Sequence, residues 1–181
     1  MKRLSEFNVK LTNYQLSDSQ YIGFESNFAM DSLYKFALDN IDNCKLLDLN
    51  CLRLDLKHFC VVNNKSIKYH GINSREAGYN DLAKQKYPEY NECLLNQDEI
   101  LNHIYDYTIF IDSDYEKFNE HHTILIPKLI KFTNSGKLII LIKESQNYTE
   151  LIDHLKHYNL NFSINFSKSL NYLKIIIENE Y

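Results

Sequence analysis

Cys51 carries the most reactive type of side chain in a segment that also contains Arg53. A cationic neighbour lowers a thiol pKa and favours the nucleophilic thiolate, so this pair is compatible with a reactive cysteine. The sequence has no C-x-x-C pair and no histidine at zinc-finger spacing from a cysteine. We therefore expect reduced, at least partly buried cysteines in an intracellular protein, with Cys51 filling a closed loop. The four cysteines are Cys44, Cys51, Cys60 and Cys93.

Histidines and lysines offer weaker candidates. His154 and His157 lie at i, i+3 and could share a helix face, but no third metal ligand lies nearby in sequence. His121 and His122 are adjacent, so on a helix they point about 100° apart and form no common face. Four lysines in one stretch could form a basic patch for an anionic partner, although ordinary surface lysines are the default. They are Lys128, Lys131, Lys137 and Lys143.

Length and charge restrict the class of protein. The 181 residues suit one domain with a substantial core, and the formal net charge of -4 does not indicate a strongly basic nucleic-acid binder. The N-terminus has no apolar run typical of a signal peptide. No segment approaches about 20 consecutive apolar residues, so we expect no membrane span and a cytoplasmic location.

Short apolar segments alternate with helical patterns along most of the chain. The predicted strands cover residues 45–49, 67–72, 91–95, 107–111, 137–142, 161–166 and 172–177. Helices are predicted over residues 26–41, 54–61 and 116–131, from Asn73 to before Pro88, and from Asn147 to Tyr158.

This alternation predicts an α/β domain with helices on both faces of the sheet. Five residues separate the last two strands, which predicts a hairpin and forces one strand to run against the others. We therefore expect a Rossmann-like, seven-stranded, mostly parallel sheet with a C-terminal antiparallel hairpin. Residues 1–25 are predicted to form an N-terminal lead-in, and residues 26–181 a single domain.

This order of elements resembles the class I S-adenosylmethionine-dependent methyltransferase fold over residues 26–178. KLLDL, which contains Asp48, is similar to the first strand and its acidic residue, and YHGIN to the second strand and its end. LLNQDEIL is similar to the third strand and its acidic loop, and YDYTIFIDSDY to the fourth strand. The turn at Asn134-Ser135-Gly136 followed by KLIILIK resembles the approach to the fifth strand. The resemblance implies a site for S-adenosylmethionine (SAM).

The segment after Asp48 departs from the family pattern at each glycine position. The family carries a D-x-G-x-G-x-G type segment, whose glycines let the backbone turn tightly against the cofactor. Here Asn50, Leu52 and Leu54 occupy those positions. Asn adopts a left-handed conformation at modest cost, whereas Leu does so poorly. The side chain of Leu52 is also expected to project toward the space that the cofactor needs.

The resemblance implies two further cofactor anchors. The family usually has an Asp or Glu after the second strand that accepts hydrogen bonds from both ribose hydroxyls. Asn73 stands there with one acceptor oxygen and no charge, so this anchor is weakened. Asp98 matches the residue that contacts the adenine amino group, although a solvated loop explains it equally well. If binding is retained, the implied cofactor-binding residues are Asp48, Asn50, Leu52, Asn73 and Asp98.

No catalytic motif follows the fourth strand. Nucleic-acid amino-methyltransferases carry [DN]-P-P-[YF] there, whereas this chain reads Asp112-Ser113-Asp114-Tyr115. Asp112 could be a cation ligand, as in metal-dependent O-methyltransferases, but Lys143 stands where a second acidic ligand is expected. We therefore predict no metal site and assign no catalytic residue. Asp112 and Asp114 are interpreted as acids favoured by the dipole of the following helix.

Two hypotheses remain open from the sequence. The first is a methyltransferase-like pseudoenzyme that has lost ordinary SAM binding and serves as a structural or partner-binding subunit. The second is an active methyltransferase with an atypical cofactor loop, using SAM on a small molecule, a glycan or a nucleic acid. Under the first hypothesis we expect a protein partner or a homo-oligomer. The net charge does not indicate a nucleic-acid partner, and we expect no contact with a membrane.

Overall fold

The computed structural model describes residues 27–49, 51, 54–72, 87–95, 97–100, 102–112, 136–143 and 149–178. The α-helices are α1 (Asn27–Ala37), α2 (Asp55–Val62), α3 (Gln97–Ile100) and α4 (Thr149–His157), and a 3-10 helix covers Pro88–Cys93. The strands are β1 (Cys44–Asp48), β2 (Ile67–Gly71), β3 (Tyr107–Asp112), β4 (Lys137–Lys143), β5 (Asn161–Ser167) and β6 (Tyr172–Glu178).

The six strands form one mixed sheet in the order β2-β1-β3-β4-β6-β5. The pairs β1–β2, β1–β3 and β3–β4 are parallel, while β6 pairs antiparallel with both β4 and β5. The predicted alternation of strands and helices and the C-terminal hairpin are therefore confirmed. No helix in the described ranges is long and apolar enough to cross a membrane.

The predicted third strand, residues 91–95, is wrong, and the described part of the chain has six strands instead of seven. The segment forms the 3-10 helix and keeps only an isolated parallel bridge between Gly71 and Leu94. Pro88 stands at the start of this helix, where its fixed φ is favourable and its missing N–H costs nothing. The polar residues that follow supply few apolar side chains for a buried strand.

Each face of the sheet has its own hydrophobic core, because successive side chains of a strand point to opposite faces. The α1-side core includes Leu33, Ala37, Leu38, Leu46, Leu54, Phe59, Tyr69, Ile109, Ile139 and Leu141. The α4-side core includes Leu47, Leu49, Phe110, Leu138, Ile140, Ile142, Leu155, Leu173, Ile175 and Ile177. These two sets confirm helices on both faces. The helices predicted after Asn73 and over residues 116–131 lie outside the described residues.

Two lysines bind backbone carbonyls at the carboxyl end of α1 and in the residues that follow it. Lys65 Nζ donates to the carbonyl oxygens of Leu38 at 3.3 Å and Ile41 at 2.8 Å, and Lys174 Nζ donates to Phe36 O at 3.0 Å. Carbonyls at a helix end have no intrahelical donors, and their dipole favours a cation. Burial lowers the pKa of Lys174, while the charge of Asp39 opposes that shift.

Candidate functional site at the ends of β1 and β2

The carboxyl ends of the parallel strands meet around Asp48. Asp48 pairs in register with Gly71 of β2 and with Ile109 of β3. The backbone continues the contact, since Leu49 N–H donates to Ile109 O at 3.0 Å and Ile72 N–H donates to Asp48 O at 2.9 Å. Ligands of open α/β sheets bind outside such strand ends. This edge is therefore the candidate site.

The carboxylate of Asp48 is enclosed by protein. Its residue is 3% exposed, and Tyr69 Oη donates a hydrogen bond to Asp48 Oδ2 at 2.8 Å. Burial raises the pKa of Tyr69 well above its ordinary value, and the negative charge of Asp48 raises it further. Tyr69 consequently remains a protonated donor, which is the partner that a buried carboxylate requires.

Cys51 and Gly71 bring the loop after β1 tightly against β2. Cys51 N–H donates to Ile72 O at 3.4 Å. A Cβ on Gly71 would lie 2.7 Å from Cys51 Cβ and 2.8 Å from Cys51 Sγ, so only glycine fits without displacement. Burial raises the pKa of the Cys51 thiol well above its ordinary value, and the charge of Asp48 adds to this. This geometry favours a space-filling thiol over a reactive one.

Leu54 adopts a left-handed backbone conformation, which glycine occupies more readily than other residues. Its φ of 59° and ψ of 20° are left-handed, and its N–H donates to Cys51 O at 2.6 Å just before α2 begins. This conformation costs a non-glycine residue about 1–2 kcal/mol. The Leu54 side chain is fully buried in the α1-side core, and burying a leucine contributes about 1.5–3 kcal/mol. Burial of the side chain in the α1-side core therefore offsets the strain of the left-handed backbone at Leu54.

Several predicted cofactor residues fall outside the description. Asn50, Leu52 and Asn73 are not among the described residues, and of Asp98 only the backbone is described, within α3. Of the five implied cofactor residues, the structure therefore places the side chain of Asp48 alone. Sequence reasoning assigns no role to Tyr69 or Gly71. In the structure, Tyr69 donates a hydrogen bond to Asp48, and Gly71 pairs with Asp48 in register. A glycine at the end of a strand was the available signal, because it often marks close backbone approach.

A second polar cluster lies on the α4 side of β2. Tyr105 Oη lies 2.9 Å from His70 Nδ1, and the ring centroids of His70 and His103 are 4.7 Å apart. Burial lowers the pKa of His70 below its ordinary 6.5, and the positive charges of His103 and nearby lysines lower it further. This cluster was not anticipated from sequence, because His70 lies more than 30 residues from both His103 and Tyr105.

The other candidates gain no support as sites. No group of three or more potential metal ligands occurs among the residues that the structure describes. Lys137 Nζ contacts Glu178 Oε1 at 2.5 Å, and this hydrogen bond raises its pKa. His157 is exposed on α4. Residues 113–135, which include Asp114, His121, His122, Lys128 and Lys131, lie outside the described ranges, as do the side chains of Asp112 and His154.

Solved methyltransferases share this fold at low sequence identity. A methyltransferase from Pyrococcus furiosus matches with a TM-score of 0.62 and 9% identity, over 83% of each chain. The plantazolicin methyltransferase BpumL, solved with a pentazolic desmethylPZN analog and S-adenosylhomocysteine (SAH), gives a TM-score of 0.61 and 15% identity over 98% of each chain. The ribosomal protein L11 methylase from Lactobacillus delbrueckii subsp. bulgaricus gives 0.56 and 12%, over 82% of this chain and 77% of that one.

This chain therefore has the class I SAM-dependent methyltransferase fold, as its sequence pattern indicated. At these identities the likeness concerns the fold. No family model and no curated protein matches the sequence.

Proposed function

We propose that this chain is a methyltransferase-fold protein that does not bind SAM in the ordinary way and acts as a structural or partner-binding subunit. The observation that carries the proposal is the enclosed Asp48 carboxylate, which is 3% exposed and hydrogen-bonded by Tyr69. A carboxylate enclosed in this manner is out of reach of a ligand unless the surrounding side chains move.

The neighbouring residues support the same proposal. Cys51 packs against the face of Gly71, so protein atoms fill the space between the loop and β2. Asn73 replaces the acidic residue that the family resemblance implies for the ribose hydroxyls, with fewer acceptors and no charge. Asn50 and Leu52 add side chains at two positions where the family pattern has none. Each change is expected to weaken cofactor binding.

A second candidate is an active methyltransferase with an atypical loop. It is favoured by Leu54, whose left-handed backbone preserves the turn that the last glycine of the family motif provides. Two solved neighbours, BpumL and the 1,6-didemethyltoxoflavin-N1-methyltransferase from Burkholderia thailandensis, contain SAH. On this alternative, SAM is the methyl donor and Asp48, Asn50, Leu52, Asn73 and Asp98 bind it.

Calorimetric titration with SAM and with SAH separates the two candidates. A matched variant, Asn50→Gly/Leu52→Gly/Asn73→Asp, restores two glycines and the acidic anchor while leaving the enclosed Asp48 unchanged. We expect no heat of binding for the natural chain with millimolar ligand. Micromolar binding of either ligand by the natural chain would contradict the proposal. Binding that emerges only in the variant would assign the loss to those three positions.

A further inference from the structure

The strand β5 (Asn161–Ser167) forms one edge of the sheet, and among the described residues it pairs only with β6. Its sequence NFSINFS contains no charged residue and no proline. Edge strands of soluble proteins usually carry lysine, proline or a bulge, because an open row of backbone groups recruits other strands. The opposite edge, β2, carries Lys68 and contacts Leu94 through a bridge. Within the described ranges, β5 is thus the edge that lacks these protective features.

The hairpin fixes which backbone groups of β5 point outward. Asn171, with φ of 57°, donates its N–H to Ser167 O at 2.8 Å, so the Ser167 carbonyl points toward β6. The N–H and C=O of one strand residue point to the same side, and the side alternates along the strand. The outward backbone groups therefore belong to Phe162, Ile164 and Phe166.

The sequence of β5 is complementary to itself when a second copy runs antiparallel about Ile164. Ile164 then faces Ile164 of the second copy, and Phe162 faces Phe166. The polar residues also match, with Ser163 opposite Asn165. Each apolar pair consists of the residues whose backbone groups point outward, so each pair can exchange two backbone hydrogen bonds. No charged residues are brought together.

We propose that two copies of this chain associate through antiparallel pairing of their β5 strands, which joins the two sheets across a two-fold axis at Ile164. Such an isologous contact closes after two copies, because both use the same surface. Phe166, now 47% exposed, would be covered by Phe162 of the second copy. The association does not depend on cofactor binding, because β6, β4 and β3 lie between β5 and β1.

Charge substitutions at the two exposed polar residues test the proposal. Ser163→Asp/Asn165→Asp places like charges opposite each other in the pair, and Ser163→Lys/Asn165→Lys does the same with the other sign. Sedimentation velocity is expected to give twice the 21.5 kDa chain mass for the natural protein and monomers for each variant. An equimolar mixture of the two variants is expected to restore a dimer, because acid then faces base.

A control variant carries the same charge change elsewhere. Asn64→Asp/Asn91→Asp alters two exposed residues near β2 and is expected to remain dimeric. A monomeric natural chain up to its solubility limit would overturn the proposal, as would a dimer of the acidic variant. If circular dichroism shows that a double variant does not fold, Phe166→Ser carries the test. Its dimer is expected to dissociate at least tenfold more readily, and an unchanged dissociation constant would overturn the pairing.

Discussion

The half of the sheet formed by β4, β6 and β5 differs from the half formed by β1 and β2 in how its interior is filled. In β4 five consecutive residues are buried, and all of them are apolar. At the ends of β1 and β2, the buried set includes a carboxylate, a phenol and a thiol, those of Asp48, Tyr69 and Cys51. The interior of the first half is apolar apart from Lys174, whose Nζ donates to Phe36 O, whereas the second contains several groups whose burial requires specific partners.

The difference between the two halves indicates where the sequence departs from the family pattern. The apolar half supplies stability and contains none of the residues that the family resemblance implies for SAM. The polar half lies at the carboxyl ends of β1 and β2, where Tyr69 donates a hydrogen bond to the buried Asp48. Under the proposed function, side chains close this position while the fold around it is retained. The following substitutions separate the two halves, from the largest expected effect to the smallest.

Ile140→Ala is expected to lower the free energy of unfolding by about 4 kcal/mol, because it leaves a cavity in the center of the sheet. Ile140 is fully buried between β3 and β6. Urea denaturation followed by circular dichroism measures the change. The control Ile104→Ala, at a residue 66% exposed, is expected to have no measurable effect. A loss below 1 kcal/mol for Ile140→Ala would argue against a stability-bearing apolar half.

Gly71→Ala is expected to cost about 3 kcal/mol, because the added methyl overlaps the Cβ and Sγ of Cys51. The matched double variant Gly71→Ala/Cys51→Gly removes the overlapping atoms. In a double-mutant cycle, the alanine is therefore expected to cost less in the Cys51→Gly background. Equal costs in both backgrounds would show that the loop does not pack against β2 in this way.

Tyr69→Phe is expected to cost about 2 kcal/mol, because it removes a donor from a buried carboxylate. Adding Asp48→Asn neutralises that carboxylate, so Tyr69→Phe should cost less in the Asp48→Asn background than in the natural one. The free energies come from the same urea titrations. Additive costs would contradict a direct bond between the two side chains.

Substitution of His70 is expected to have the smallest effect, which appears in the pH dependence of the free energy of unfolding. Its pKa is lowered below the ordinary 6.5 in the folded state, so the unfolded chain binds the proton more readily. Stability should therefore fall as the pH decreases below 6.5, until the folded-state pKa is passed. His70→Gln should flatten this slope, whereas His157→Gln, at an exposed position, should leave it unchanged. A slope unaltered by His70→Gln would exclude His70 as its source.

The apolar half could be predicted from the sequence because its signals are local. The run 138–142 is uniformly apolar, and the short spacing of the last two strands dictates their hairpin. The error at residues 91–95 is also local in origin, because Pro88 starts a 3-10 helix that competes with strand formation.

The candidate site at the ends of β1 and β2 could be predicted only in outline. The loss of glycines at Asn50, Leu52 and Leu54 is visible in the sequence. The roles of Tyr69 and Gly71 depend on the register of β1 against β2, which links residues more than 20 positions apart. The left-handed backbone of Leu54 overrides its local preference, because the core buries its side chain.

Amide NMR of the 15N-labelled chain during titration with SAH tests the proposed closure of the site most directly. The signals of Leu49, Cys51 and Ile72 report on the ends of β1 and β2, where the backbone segments bond to each other. We predict that these signals do not shift with millimolar SAH, while the Asn50→Gly/Leu52→Gly/Asn73→Asp variant serves as the comparison. Saturable shifts of these three signals in the natural chain would contradict a site closed to the cofactor.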